Sequence, residues 1–141
     1  LLVSATAVHF PEVCSAVSCQ VPLIDMERYH LLLAGISWAA EYGTIEDSDK
    51  MKAAIEAYNP FRQVRKDGKY PAIFFQTSTY DDRVHPGHAR RMYARMREQG
   101  HEVLYAESFK GGHTANLTPE ERAEDVALTW TFFAEKLGLK I

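Results

Sequence analysis

The sequence predicts an α/β protein of three layers, in which a mostly parallel sheet of about three strands is flanked by helices. One observation is the presence of three short apolar segments, residues 16–21, 72–76 and 103–106, rich in residues that strands prefer. The other is that apolar residues recur at helical spacing between these segments and after the last one. Strands and helices in this order are joined by right-handed crossovers, so we expect parallel strands in a single domain of 141 residues.

The first half of the chain is predicted to hold one strand and three helices. A helix ends near residue 8, because Pro11 cannot continue it, and the strand at residues 16–21 stops before Pro22. A second helix extends from about residue 25 to residue 40, on the helical spacing of its apolar residues, and ends at Gly43. A third begins with Ser48 as its N-cap. The apolar positions of the second helix are Met26, Tyr29, Leu33, Ile36 and Ala40.

The second half is predicted to alternate two strands with two helices. The central strand at residues 72–76 is almost continuously apolar, which is typical of a strand covered on both faces. Pro86 suits the first turn of one helix, and Thr118 opens the last helix with a capping box. The stripes expected to be buried are Ala89, Met92, Tyr93 and Met96 in the first of these helices, and Ala123, Val126, Ala127, Trp130, Phe133 and Leu137 in the last.

Composition argues against two classes of partner. A net charge of −3 provides no basic field for nucleic acid, and the arginines at 90, 91, 95 and 97 are predicted to form the solvated face of one helix. The apolar residues 1–10 are too few to span a bilayer and lack the basic residues of a signal peptide. We therefore expect neither a nucleic acid nor a membrane as a partner.

The two cysteines, Cys14 and Cys19, are predicted to be free thiols. Five residues of extended chain separate them by roughly 16 Å, which is too far for a disulfide. Free thiols favour a reducing compartment, so we predict a cytoplasmic protein, with the periplasm as the alternative.

An acid and an imidazole are predicted to meet at one edge of the sheet. Asp81, Asp82 and Arg83 follow the central strand, and His113 follows two glycines after the next strand. The carboxyl ends of parallel strands share one edge, where open α/β sheets place their sites. A carboxylate there can orient an imidazole that transfers protons near neutral pH. Alternatively, the aspartates form a turn and the histidine is only solvated.

A metal site is not predicted. His85 and His88 lie three residues apart near two aspartates, but the sequence places no further ligand with them and contains no zinc-type spacing. We expect no metal and no cofactor.

The chain resembles the catalytic domain of the prolyl oligopeptidase family of serine peptidases, in the order and spacing of its motifs over nearly the whole length. The resemblance implies a partial α/β-hydrolase fold, in which the predicted strands form the C-terminal edge of a larger sheet. The motifs that carry it are Asp25-Met26, Trp38, Glu41-Tyr42-Gly43, Asp81-Asp82-Arg83-Val84 and Gly112-His113.

By this resemblance, Asp81 and His113 are the acid and the base of a Ser-His-Asp triad. The order Asp before His, with the serine earlier, is that of α/β-hydrolases. The resemblance also implies that Arg83 binds a carbonyl of the peptide substrate, with a surface ion pair as its alternative role. The residues that would line a proline pocket are Trp38, Tyr42, Leu23 and Val84, although helical spacing alone favours Trp38 as a core residue.

The nucleophile is where the sequence departs from the family. None of its seven serines lies in a Gly-x-Ser-x-Gly context, and the chain opens with the Leu-Leu that follows the nucleophile segment in the family. We therefore expect a single partial catalytic domain, 1–141, which lacks both the nucleophile segment and the family's propeller and is inactive alone.

Two other functions are consistent with the sequence. One is a different α/β-hydrolase, such as an aminopeptidase or esterase, because Asp and His recur across that superfamily. The other is a non-catalytic module that persists as an oligomer. The expected partners are a peptide substrate of the parent enzyme, and either the missing N-terminal part or a second copy of this chain. A homodimer or higher oligomer is predicted to bury Val17, Cys19 or the first helix.

Overall fold

The computed structural model describes residues 1–113 and 118–140. Within them the chain forms a three-stranded sheet with six α-helices and three short 3-10 helices. The strands are β1 (Ala16–Gln20), β2 (Ala72–Ser78) and β3 (Val103–Ser108). The α-helices are α1 (Leu2–His9), α2 (Ala39–Tyr42), α3 (Asp49–Tyr58), α4 (Pro60–Gln63), α5 (Gly87–Glu98) and α6 (Pro119–Leu137), and the 3-10 helices are Pro11–Val13, Tyr29–Leu31 and Leu33–Trp38.

The sheet is parallel and follows the order β1-β2-β3, as predicted. Ile73 pairs with Val17 on one side and with Val103 on the other. β2 and β3 are each two residues longer than predicted and end together at the pair Ser78 and Ser108. The loops that follow these two strands therefore leave the sheet side by side.

Helices cover both faces of the sheet, which confirms the three-layer prediction. On one face, Ile73 and Phe75 of β2 pack in a core with Met92 and Met96 of α5 and with residues of α1. On the other face, Phe74 packs against Phe132 of α6, with ring centroids 5.5 Å apart. The fully buried pattern of β2 agrees with its continuous apolar sequence.

The predicted helix at residues 25–40 is wrong. Two 3-10 helices occupy most of it, and Leu32 between them has an extended backbone. The reason is a tight reversal in which Leu33 adopts a positive φ of 49° and Gly35 lies against Tyr29. A Cβ at Gly35 would lie 1.7 Å from the Tyr29 carbonyl oxygen, so the fold requires glycine there. Of the predicted apolar stripe, Met26 and Tyr29 are buried, whereas Leu33 and Ile36 are exposed.

The predicted buried face of α6 is also wrong. Trp130 is 68% exposed and Val126 is 50% exposed, while Phe132 and Ala134 are the residues that α6 buries. The helix carries apolar residues on more than one stripe, and helical spacing alone does not determine which stripe meets the sheet. The other members of the predicted face are Ala123, Ala127 and Leu137, which are exposed, and Phe133, which is half-buried.

The predicted N-caps of two helices are confirmed. The Ser48 hydroxyl accepts a hydrogen bond from the backbone N–H of Met51, and Thr118 forms the expected capping box with Glu121. Gly43 has a φ of 68° and ends the short helix α2 rather than the long helix that it was predicted to end. In residues 1–113 and 118–140 no helix has the length and apolar character needed to cross a bilayer.

Candidate active site

Asp81 lies in the turn that follows β2, and its side chain is fully buried. One carboxylate oxygen, Oδ1, accepts hydrogen bonds from the backbone N–H groups of Arg83 at 2.9 Å and Val84 at 2.8 Å. Such a local turn orients the carboxylate, because two donors determine where its second oxygen points. Oδ2 is therefore directed away from the turn.

The loop that carries His113 is attached to the end of β2. The Ser78 hydroxyl donates a hydrogen bond of 2.8 Å to the carbonyl oxygen of Gly111. Gly111 has a positive φ of 67°, a conformation that favours glycine. A Cβ at Gly112 would lie 3.4 Å from Asp82 Oδ1, so the loop approaches the Asp81 turn closely. Both glycines thus help the histidine loop to reach the acid.

His113 and Asp81 form a hydrogen bond of 2.8 Å between Nδ1 and Oδ2. The imidazole is 18% exposed and the carboxylate is completely buried. A buried carboxylate at this position favours the tautomer with the proton on Nδ1 and stabilises a positive charge on the ring. The expected meeting of an acid and an imidazole at one sheet edge is confirmed as geometry.

A cavity of about 330 Å³ lies beside His113, between the ends of β1 and β2 and the helix α6. Gln76 at its base is buried, and its side-chain oxygen accepts hydrogen bonds from Ser18, Gln20 and Thr129. Trp130 contributes its exposed ring to the wall. The space next to the imidazole is therefore partly polar and partly apolar.

The five other residues that the sequence singled out lie close to one another. Leu23 and Val84 are buried in one apolar cluster, against which Trp38 and Tyr42 pack. Arg83 is exposed, and its guanidinium carbon lies 5.7 Å from the centroid of the Trp38 ring. Since Arg83 and Val84 also hold Asp81 through their backbone, the apolar cluster and the acid are parts of one local structure.

The structure assigns His88 a buried role that does not require a metal. Its Nδ1 accepts a hydrogen bond from the backbone N–H of Asp25 at 3.0 Å, and burial lowers the pKa of its imidazole to about 4. Asp25 in turn is paired with Arg28 at 3.0 Å and with Arg91. In the described part of the chain, no group of three or more potential ligands is arranged for a metal ion.

The prediction that the four arginines of α5 form a solvated face is only partly correct. Arg91 pairs with buried Asp25, and Arg90 pairs with Glu107. Arg95 and Arg91 also lie over the ring of Phe61, at 5.0 Å and 4.2 Å. Carboxylates on neighbouring elements attract these arginine side chains toward the protein. The sequence of α5 alone does not predict such contacts.

The sequence interpretation did not identify Ser78, Thr79 and Glu107 as parts of the site. Each lies at or next to the carboxyl end of β2 or β3, within a few residues of Asp81 or His113. The feature of the sequence that could have identified these residues is the presence of polar side chains at the ends of apolar strands. That feature becomes specific only when the register brings Ser78 beside Ser108.

Comparison with known proteins extends over the whole chain. The chain is similar to an uncharacterized peptidase of Sinorhizobium fredii, with 39% identity over 137 residues, which are 97% of this chain and 19% of that protein. It is similar to the prolyl endopeptidase of Elizabethkingia miricola, with 32% identity over 99% of this chain and 20% of that protein.

A solved structure gives the same result. A post-proline cleaving enzyme from Rickettsia typhi matches 100% of this chain and 20% of its own chain, with 36% identity and a TM-score of 0.90. The chain thus spans about a fifth of the length of the relatives it matches. The fold is that of the α/β-hydrolase catalytic domain of such enzymes. The sequence profile of the prolyl oligopeptidase family matches residues 1–140, and the chain belongs to that family.

Proposed function

We propose that this chain contributes the acid and the base of a serine peptidase that hydrolyses peptide bonds after proline. The observation that carries the proposal is the 2.8 Å hydrogen bond between His113 Nδ1 and the buried Oδ2 of Asp81. The prolyl endopeptidases among the relatives support the substrate class. The sequence contains no Gly-x-Ser-x-Gly segment, so in this proposal the serine belongs to polypeptide outside these 141 residues.

His113 acts first as a base and then as an acid. With Nδ1 donating to Asp81, Nε2 is the nitrogen that accepts the proton of the serine hydroxyl while the serine oxygen attacks the scissile carbonyl. Asp81 stabilises the resulting imidazolium. The proton then passes to the leaving amine as the peptide C–N bond breaks and an acyl-enzyme remains. Water hydrolyses the ester by the same proton route, which regenerates the serine and releases the acid.

The apolar cluster beside the acid is proposed to bind the proline side of the substrate. Trp38 and Tyr42 provide flat apolar surfaces for a pyrrolidine ring, and Leu23 and Val84 lie behind them. The guanidinium of Arg83 is exposed at the edge of this cluster, where it can donate to a substrate carbonyl. Its contact with Trp38 places the polar donor next to the apolar surface.

The proposal is tested with a polypeptide that carries this chain together with a nucleophile segment. Asp81→Asn keeps the size of the side chain, but it removes the charge that stabilises the imidazolium. We expect kcat on a proline peptide to fall by about 10³-fold or more, since the corresponding change in a triad costs roughly 10⁴-fold. Asp82→Asn is the matched control and should retain most activity. Equal activity of both variants, or equal cleavage after alanine and proline, contradicts the proposal.

The chain on its own is expected to be inactive. Without the nucleophile it should neither turn over proline peptides nor react with a serine-directed phosphonate. Stoichiometric labelling of the 141-residue chain would show that one of its own serines is the nucleophile. We also propose a cytoplasmic location, supported by the free thiols of Cys14 and Cys19.

A further inference from the structure

Glu107, near the end of β3, is the centre of a hydrogen-bond cluster outside the proposed catalytic pair. Its side chain is 11% exposed. Oε1 accepts a hydrogen bond of 2.5 Å from the hydroxyl of Thr79, and Oε2 accepts one of 3.0 Å from Nε of Arg90. A second nitrogen of Arg90 and the hydroxyl of Tyr105 also donate to this carboxylate. Glu107 thus connects α5, β3 and the residue that follows β2.

The contacts of Thr79 extend this connection to both loops of the site. Thr79 lies two residues before Asp81, and its backbone N–H donates to the carbonyl oxygen of Ser108 at 2.9 Å. The Ser108 hydroxyl donates in turn to the carbonyl oxygen of Lys110 at 2.8 Å, within the loop that leads to His113. The side chain and the backbone of Thr79 therefore both attach the Asp81 turn to the end of β3, from which the histidine loop leaves.

We propose that Glu107 is a positioning residue which, through Thr79, sets the distance between the loop carrying Asp81 and the loop carrying His113. That Asp81 and His113 are a catalytic pair rests on the proposed function. The effect of Glu107 on the distance between their loops concerns geometry alone. An ionised carboxylate with four donors around it is a rigid attachment, because charged hydrogen bonds are stronger and shorter than neutral ones. No catalytic step is assigned to Glu107.

The charge state of Glu107 suits such an attachment. Hydrogen bonds from Arg90 lower the pKa of Glu107 to about 2. Burial, together with the hydrogen bond to Glu107, raises the pKa of Tyr105 to about 12. Both groups therefore keep one protonation state across the range in which an imidazole titrates. The attachment stays in place while His113 gains and loses its proton.

The test uses Thr79, because one of its variants removes the hydroxyl that binds Glu107 and another keeps it. Thr79→Val removes the hydroxyl and keeps the shape, whereas Thr79→Ser keeps the hydroxyl. Hydrogen exchange of the 141-residue chain is measured at the backbone amides of Arg83 and Val84, which Asp81 binds, and at Phe75 as a core reference. The tautomer of His113 is read from its ¹⁵N chemical shifts.

We expect Thr79→Val to speed exchange of the Arg83 and Val84 amides by about tenfold relative to Phe75, since a charged hydrogen bond is lost. His113 should lose its uniform Nδ1–H tautomer in that variant. Thr79→Ser should behave as the wild type. Glu107→Gln should resemble Thr79→Val, and Glu102→Gln is its control, because Glu102 precedes the same strand and, within residues 1–113 and 118–140, its side chain pairs only with Lys136 at the surface.

Two results would overturn the inference, and they differ in what they say about the proposed function. If Thr79→Val and Thr79→Ser show the same exchange and the same His113 tautomer, Glu107 does not position the loops, and the catalytic pair is unaffected. If the wild type itself lacks the Nδ1–H tautomer, the pairing of His113 with Asp81 is contradicted, and both proposals fail.

Discussion

Acidification is expected to destabilise the chain through His88. The native structure holds this imidazole neutral, because burial lowers its pKa from 6.5 to about 4 and its Nδ1 accepts the backbone N–H of Asp25. The charge of Asp25 opposes this shift, whereas His85, Arg91 and the amino group of Leu1 add to it. In the unfolded chain the imidazole takes up a proton below its ordinary pKa, and in the native state it does so only near pH 4.

The sign and the size of the effect follow from this difference. The unfolded state binds more protons between the two pKa values. The contribution of neutral His88 to the free energy of unfolding is therefore complete above about pH 6.5 and is lost as the pH falls toward about 4. The window of roughly 2.5 pH units, at about 1.4 kcal/mol per unit, corresponds to a loss of roughly 3 kcal/mol. The free energy of unfolding of most single-domain proteins is only about 5–15 kcal/mol, so the loss is large enough to measure.

Urea unfolding of the wild type and of His88→Gln at several pH values tests this. The glutamine oxygen can accept the same backbone N–H but does not titrate in this range. We expect the wild type to lose about 3 kcal/mol more than the variant between about pH 7 and pH 4. Equal losses in both proteins would refute the reasoning. If the variant does not fold, NMR titration of the wild type decides, and a His88 imidazole that titrates near 6.5 contradicts the explanation.

Three further predictions concern packing, substrate binding and assembly. Phe132→Ala should lower the free energy of unfolding by about 3 kcal/mol, because Phe132 is buried against β2. Trp130→Ala, at an exposed position of the same helix, should lower it far less. Equal losses in the two variants would contradict the packing of α6. In a catalytically complete protein, Arg83→Lys should raise KM for proline peptides, since lysine lacks the planar fork of donors, and an unchanged KM would remove Arg83 from substrate binding. The chain is also proposed to self-associate, as sedimentation equilibrium would show, because β1 is paired on one side only within the described residues and Trp130 is exposed. Val17 and Cys19 are already buried in the single chain, so the contact would involve other residues, and a monomer at tens of micromolar would contradict it.

Local sequence determined much of the fold. The three strands and their parallel order follow from apolar segments separated by helices, and the helix ends follow from Ser48, Gly43 and Thr118. The strands and the helix ends depend on interactions within a few residues, and the parallel order follows from the helices that connect the strands, which is why a sequence pattern predicts these features. Asp81 and His113 were predictable for a related reason, since both follow strands whose carboxyl ends must share one edge.

Tertiary contacts decided the rest. The chain from Met26 to Ala40 has helical spacing, yet Tyr29 donates to the carbonyl oxygen of Gly43 at 2.6 Å and Gly35 packs against Tyr29, so the segment folds as 3-10 turns. The stripe of α6 that meets the sheet depends on where Phe74 presents its ring.

Glu107 is the clearest case in the site. Of its donors, Tyr105 lies on the same strand, whereas Thr79 follows β2 and Arg90 belongs to α5. Periodicity and motifs describe neighbours along the chain, whereas Thr79 and Arg90 become neighbours of Glu107 only when α5 packs on β3 and the register of β2 and β3 is set. Such contacts are determined by the folded structure, because their energy depends on distances that local sequence does not specify.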